Sequence, residues 1–233
     1  MRLDMKTGLN ARLDCLAPVR PLRMSRRALT GRITVDGTER AGFESSLERD
    51  WLICLDFDPA VSLIREQPFS ILYDANGREL RYTPDILAQY LYPGRDPIVI
   101  VYEVKPIENL AQDFLTFRPR FKQAVAACRD VGWRFKIVTE KHIRTPFLKN
   151  AKFLRKYRGM AVQQLYQDQL LYSLRILGPT TPQALLAMAY TDDERRMAAL
   201  TELWRMVANR EIATQLELPL NMQSRIWIGT DDE

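Results

Sequence analysis

Apolar residues recur along this chain with two different periods, and the switches between them mark its elements. Over residues 43–57 Leu47, Trp51, Leu52 and Leu55 recur at helical spacing, and Asp58-Pro59 ends the helix. Strand-like runs follow at 61–64, 69–73 and 79–82, the last two flanking an Asp74-Ala-Asn-Gly77 turn. After a loop from Pro93 to Pro97, residues 98–104 are an almost pure β-branched run, the pattern of a buried central strand. Residues 107–131 return to the helical period, with Phe114, Phe117, Phe121, Ala124 and Val125 on one face and Pro119 as a kink or restart. Gly132 punctuates, and 133–138 reads as another strand. The order helix, hairpin strands, central strand, helix, strand predicts an α/β core with a mixed sheet over residues 41–145.

The flanks differ. Residues 1–40 form a basic arm in which nine Lys and Arg face Asp4, Asp14, Asp36 and Glu39, and Pro18 and Pro21 interrupt any helix. It is expected to be irregular, as a solvated segment or a phosphate contact. Residues 146–233 predict three helices: 162–177, ending at Gly178-Pro179; a short one restarting at Thr181-Pro182; and a third, capped by Asp192 or Asp193, running to about Asn209. Strands at 211–218 and 224–228 follow. Three helices and a β-hairpin make a winged-helix-like pattern, whose modules serve DNA and protein contacts alike. The third helix mixes Glu194, Arg195, Arg196, Glu202, Arg205 and Arg210 too evenly to choose between them.

Composition narrows this picture. With 46% apolar and 27% charged residues the chain is ordinary globular material. A net charge of +5 and a pI of about 9.2 are compatible with a polyanionic partner. Most of that bias is local. Lys141, Arg144, Lys149, Lys152, Arg155, Lys156 and Arg158 lie in a stretch without one acid, interleaved with Phe147, Phe153 and Tyr157, and are the expected DNA contacts. Cys15, Cys54 and Cys128 suggest neither a disulfide framework nor a zinc site, and the last two read as core residues. His142 stands alone, with no nucleophile signature near it. No 18-residue apolar run and no secretory signal are visible, so an intracellular protein without a membrane span is expected.

The chemistry lies in Thr83-Pro84-Asp85 and Tyr102-Glu103-Val104-Lys105, with Ser46-Leu47-Glu48 upstream. Glu103 and Lys105, two apart on a strand, share a face while Val104 points into apolar packing. A charged pair at the end of a buried strand is costly unless partnered, and a divalent ion held by Asp85 and Glu103 would resolve the cost. Mg²⁺ suits one or two carboxylates, water and phosphate oxygens. Lys105 would then orient or deprotonate a water and offset developing charge, and Glu48 would hold a second ion or the same one through water. The plainer alternative is a surface salt bridge beside a turn aspartate.

This is the PD-(D/E)xK pattern of restriction-endonuclease-like nucleases. Ser46-Leu47-Glu48, the run from Phe57-Asp58-Pro59 to Arg65-Glu66-Gln67-Pro68, Tyr82-Thr83-Pro84-Asp85 and Glu103-Val104-Lys105-Pro106, in that order, resemble TnsA, the endonuclease subunit of heteromeric bacterial transposases. The resemblance covers residues 40–145 well and the C-terminal part less specifically. It implies catalytic roles for Glu48, Asp85 and Lys105, with Glu103 where some members carry Gln. It implies Mg²⁺, with Mn²⁺ as a substitute, and a cytoplasmic, bacterial protein at the nucleoid during transposition. It further implies cutting of the non-transferred strand at transposon 5′ ends, beside a DDE transposase, TnsB, and an AAA+ regulator, TnsC. Two other readings stay open: a stand-alone restriction or repair nuclease on the same fold, and a catalytically inactive winged-helix DNA-binding adaptor.

Overall fold

The computed structural model describes residues 31–35, 39–75 and 77–229, arranged in two compact units that divide between Ile143 and Arg144. Residues 1–30, with Cys15 and most of the basic arm, lie outside the described residues. Where the arm was expected to stay irregular, residues 31–35 and 39–43 instead form two paired strands. Strands β1 (Gly31–Val35) and β2 (Glu39–Phe43) pair antiparallel, Gly31 opposite Phe43 and Val35 opposite Glu39.

Helix α1 (Ser46–Phe57) opens with Ser45, whose hydroxyl accepts the Glu48 N–H, and closes at Asp58. After it the chain lays down β3 (Val61–Glu66), a hairpin of β4 (Ile71–Ala75) and β5 (Arg78–Tyr82), then β6 (Ile86–Tyr90) and β7 (Ile98–Val104). Helix α2 (Ile107–Asp130), strand β8 (Arg134–Val138) and the single turn α3 (Glu140–Ile143) complete the unit. Four strands form one mixed sheet in the order β3-β6-β7-β8, with only β7 and β8 parallel. Strand β6, like the β1–β2 pair, is an element that pattern reading missed: five residues, Ile-Leu-Ala-Gln-Tyr, are too short to separate strand from helix by period.

The sheet is covered on both faces. Leu87, Val99 and Val101 pack with Cys128 of α2 on one side. Ile86 and Tyr102, their neighbours in register, face the other side, where the Trp51 ring of α1 meets Tyr102 edge-on at 5.1 Å. Cys54 and Cys128 are both buried and unbridged, as their apolar settings predict, and burial pushes the Cys128 thiol up to about 12. The long helix departs from expectation. Phe121 and Ala124 are buried, whereas Phe114 and Val125 of the same stripe face solvent. It is irregular at Asp113.

The second unit contains α4 (Pro146–Arg158), α5 (Gln164–Leu177), α6 (Pro182–Ala189), α7 (Asp193–Ala208) and a two-stranded ribbon of β9 (Ile212–Thr214) and β10 (Ile226–Ile228). The ribbon is shorter than the sequence suggests: residues 215–225 are loop, and Thr180 bridges to Ile226. The last two turns of α7 are buried all round, from Glu202 to Ala208. No helix among the described residues is long and apolar enough to cross a membrane.

Candidate active site at the ends of two central strands

Antiparallel pairing of β6 with β7 brings two distant acids to one place. Tyr102 pairs with Ile86, so Asp85, one residue before β6, lies beside the end of β7. The peptide N–H of Asp85 donates to the Tyr102 carbonyl at 3.2 Å, and Oδ2 accepts the Val104 N–H at 2.7 Å. The Asp85 carbonyl in turn accepts the Gln67 N–H at 2.8 Å. Gln67 holds a left-handed φ of 42°, a conformation costly for a residue with a Cβ, directly against the site.

Glu103 and Lys105 meet here as their spacing predicts. Lys105 Nζ lies 3.0 Å from Glu103 Oε1 and 3.6 Å from Asp85 Oδ2, and its N–H extends the parallel ladder to the Val138 carbonyl. The Val104 side chain is buried. Burial alone would push the Lys105 ammonium down, but Asp85 and Glu103 outweigh it and hold it above its ordinary range. Asp85 moves the other way from a usual carboxylate. Burial first, then the charge of Glu103, raise it from 3.8 to about 8 despite Lys105. Among the described residues its second oxygen, Oδ1, has no hydrogen-bond donor.

Two groups that sequence reasoning missed complete the shell of Glu103. The Tyr82 hydroxyl donates to Oε2 at 2.6 Å, and burial followed by the Glu103 charge keeps that phenol protonated far above its ordinary range. Arg120 of α2 approaches Oε1 at 3.8 Å while stacking 4.3 Å over the Phe117 ring. Its Nε is buried without a partner. The available signal for Arg120 was weak: it is one of two arginines, with Arg118, between Phe117 and Phe121.

Glu48 does not join this contact. It sits on α1, against the opposite sheet face, and closes a capping box: Oε2 accepts the Glu44 N–H at 2.8 Å and Oε1 the Ser45 hydroxyl at 3.0 Å. Burial raises its acidity range, opposed by those two bonds, and its field still reaches Lys105 and Asp85. Among the described residues no group of three or more His, Cys, Asp or Glu side chains converges as a metal-binding cluster. Asp85 and Glu103 do fit a hard cation: both are carboxylates within reach of one ammonium, and one carboxylate retains an unclaimed oxygen.

The expected DNA contacts divide between the units. Lys141 belongs to the first, and the other six to the second, where Lys149, Lys152 and Lys156 are exposed on α4. Lys156 lies over the rings of Phe153 and Tyr157, at 5.0 and 4.8 Å. His142 is a local cap, with Nδ1 3.2 Å from the Thr139 N–H and 3.0 Å from its hydroxyl.

No curated protein matches the chain. Residues 58–140 match the family described as TnsA-like endonuclease N terminal. That span includes Asp85, Glu103, Lys105, Tyr82 and Arg120, and begins after Glu48. Over that span the chain is similar to the N-terminal domain of TnsA-like endonucleases.

Proposed function

We propose that this chain is the metal-dependent DNA endonuclease subunit of a heteromeric transposase, cutting the non-transferred strand at the 5′ ends of a transposon. The observation that carries this reading is the meeting of Asp85, Glu103 and Lys105 at adjacent strand ends inside the family-matched domain. Asp85, with Glu103, would hold Mg²⁺, or Mn²⁺ in its place. A bound divalent ion would supply Lewis-acid stabilisation of a scissile phosphate and ease ionisation of a water. The chain's own residues do the rest. The Val104 N–H fixes Asp85, Tyr82 and Arg120 fix Glu103, and Lys105 presents an ammonium that both carboxylates keep charged. A cation so placed offsets charge on a pentavalent phosphorus and orients an attacking water. Glu48 would act through its field, or as an ion ligand once DNA is bound.

The second unit supports a winged-helix-like reading. After α4 it offers three further helices, α5, α6 and α7, a short antiparallel ribbon and a bridge from the turn before α6 to β10. Lys149, Lys152, Arg155, Lys156 and Arg158 on α4, with Arg144 just before it and Lys141 in the first unit, are the proposed phosphate contacts. The proposed protein partners are the DDE transposase TnsB, which would cut and join the 3′ ends, and the AAA+ regulator TnsC.

The test is excision from a donor plasmid with the partner proteins present. Asp85→Ala and Lys105→Ala should each abolish 5′-end cutting and leave 3′-end joining, converting the product to a cointegrate. Normal double-strand excision by either variant would sink the assignment, and cutting of plain duplex by the purified wild type alone would point to a stand-alone nuclease.

A further inference from the structure

Helix α2 and strand β8 leave an apolar groove beside the end of the central sheet. Strand β8 is last in the order β3-β6-β7-β8, and among the described residues no strand pairs with its outer side. Next to it lies a cavity of about 520 Å³ formed by Phe114, Phe121 and Val125 of α2 and Phe135 and Ile137 of β8. Phe114 is 50% exposed, Val125 43%, and Leu115, beside them on the helix, 79%. An unpaired strand edge flanked by solvent-facing aromatic and aliphatic side chains is a template for another chain, and a protein ordinarily blunts or covers it.

The charges around the groove specify the occupant. Its only charged lining residues are Arg118 and Lys122. On β8, Arg134 and Lys136 alternate with Phe135 and Ile137 and are exposed. Because side chains alternate along a strand, any segment added to β8 continues both faces. Its residues on the α2 side would meet the apolar groove. Those on the other side would stand beside Arg134 and Lys136.

We propose that an extended segment of a partner protein, alternating apolar and acidic residues, docks here by adding a strand to β8. Backbone hydrogen bonds would supply affinity, and the groove and its cations the sequence preference. A second copy of this chain would set the same four cations against each other. The chain's own residues 1–30 carry seven Lys and Arg against Asp4 and Asp14, the wrong sign. Duplex DNA would satisfy the cations and leave Phe114 and Val125 bare. None of these observations depends on the nuclease reading.

The test uses the full chain, isotopically labelled, titrated with a synthetic peptide of about eight residues, a usual strand length, alternating Val or Ile with Glu. Amide shifts confined to residues 134–138 and the facing turns of α2 are expected. Phe114→Glu combined with Val125→Glu, at positions already in solvent, should weaken binding by about tenfold or more while the rest of the spectrum stays unchanged. A peptide N-methylated along one edge should lose binding. Absence of shifts at millimolar peptide, equal binding by a scrambled peptide, by a Lys-substituted one or by the double variant, or the same shifts produced by duplex DNA, would overturn the proposal.

Discussion

Arg205 in the second unit and Lys105 in the first are both cations held between two carboxylates, and their surroundings differ in kind. Arg205 is buried, and its fork is filled: Nε meets Glu202 at 2.7 Å, and the two terminal nitrogens meet Glu211 at 2.8 and 2.9 Å. The remaining carboxylate capacity is used too, by the Gln163 N–H on Glu202 at 3.1 Å and the Gln167 amide on Glu211 at 2.6 Å. Each guanidinium nitrogen there meets a carboxylate oxygen, so the cluster ties α5, α7 and the residue before β9 together. Around Lys105 the contacts are longer, Asp85 Oδ1 has no hydrogen-bond donor among the described residues, and burial followed by repulsion from Glu103 raises the proton affinity of Asp85. A saturated buried charge cluster marks architecture, and an unsaturated one marks chemistry.

The sharpest separation comes from Asp85→Asn. It keeps the acceptor for the Val104 N–H, so thermal stability should hold or rise, while strand cutting falls by about a thousandfold or more. Melting measured beside cleavage of an end duplex checks both halves, and loss of both together would make the two clusters alike. Arg205→Met should behave in the opposite sense. Leaving Glu202 and Glu211 without their cation costs about 3–5 kcal/mol, read as a lower urea midpoint for the second unit. A midpoint unchanged by that substitution would mean the network is not holding the fold.

Smaller effects sharpen the contrast within the first unit. Tyr82→Phe removes one hydrogen bond to a carboxylate and should cost about 1.5–3 kcal/mol, divided between stability and metal-dependent turnover. A changed Mn²⁺ affinity in calorimetry, with the Arg120 stacking preserved, would identify Tyr82 as a positioning residue. In metal-free buffer the raised acidity range of Asp85 has a definite sign. The native state binds a proton more tightly than the unfolded chain, so the associated stability is full below 3.8 and is lost as pH rises through about 8. Denaturant midpoints across that window should fall with pH in the wild type and flatten in Asp85→Asn. Smallest is Ser45→Ala, which opens the capping box at α1 and should cost about 0.5–2 kcal/mol of stability. A loss of cutting beyond that would show that Glu48 orientation matters to the site.

Much of this was legible beforehand. The central strand, its terminal Glu-x-Lys, the helix after it and helices α5, α6 and α7 all follow from local period and punctuation, whereas α4 was read only as a basic stretch. The Ser45–Glu48 box is also legible in the letters, as a Ser-x-x-Glu spacing before an apolar stripe. Tyr82 and Arg120 escaped because nothing local ties them to Glu103; only the fold of α2 over the sheet brings them there. In the second unit Glu202, Arg205 and Arg210 looked like one mixed surface, and two of the three are buried.

The sequence by itself determined which residues share a face and which chemistry arrives at a strand end. These depend on the fixed periods of helix and strand and on turn residues a few positions away. The tertiary structure alone decided which of those faces are covered, and so which charges are saturated, which stay open, and that the stripe of α2 outruns its core. Coverage is a sum over contacts from distant segments, and hydration, charge coupling and hydrogen-bond satisfaction all take their values from it.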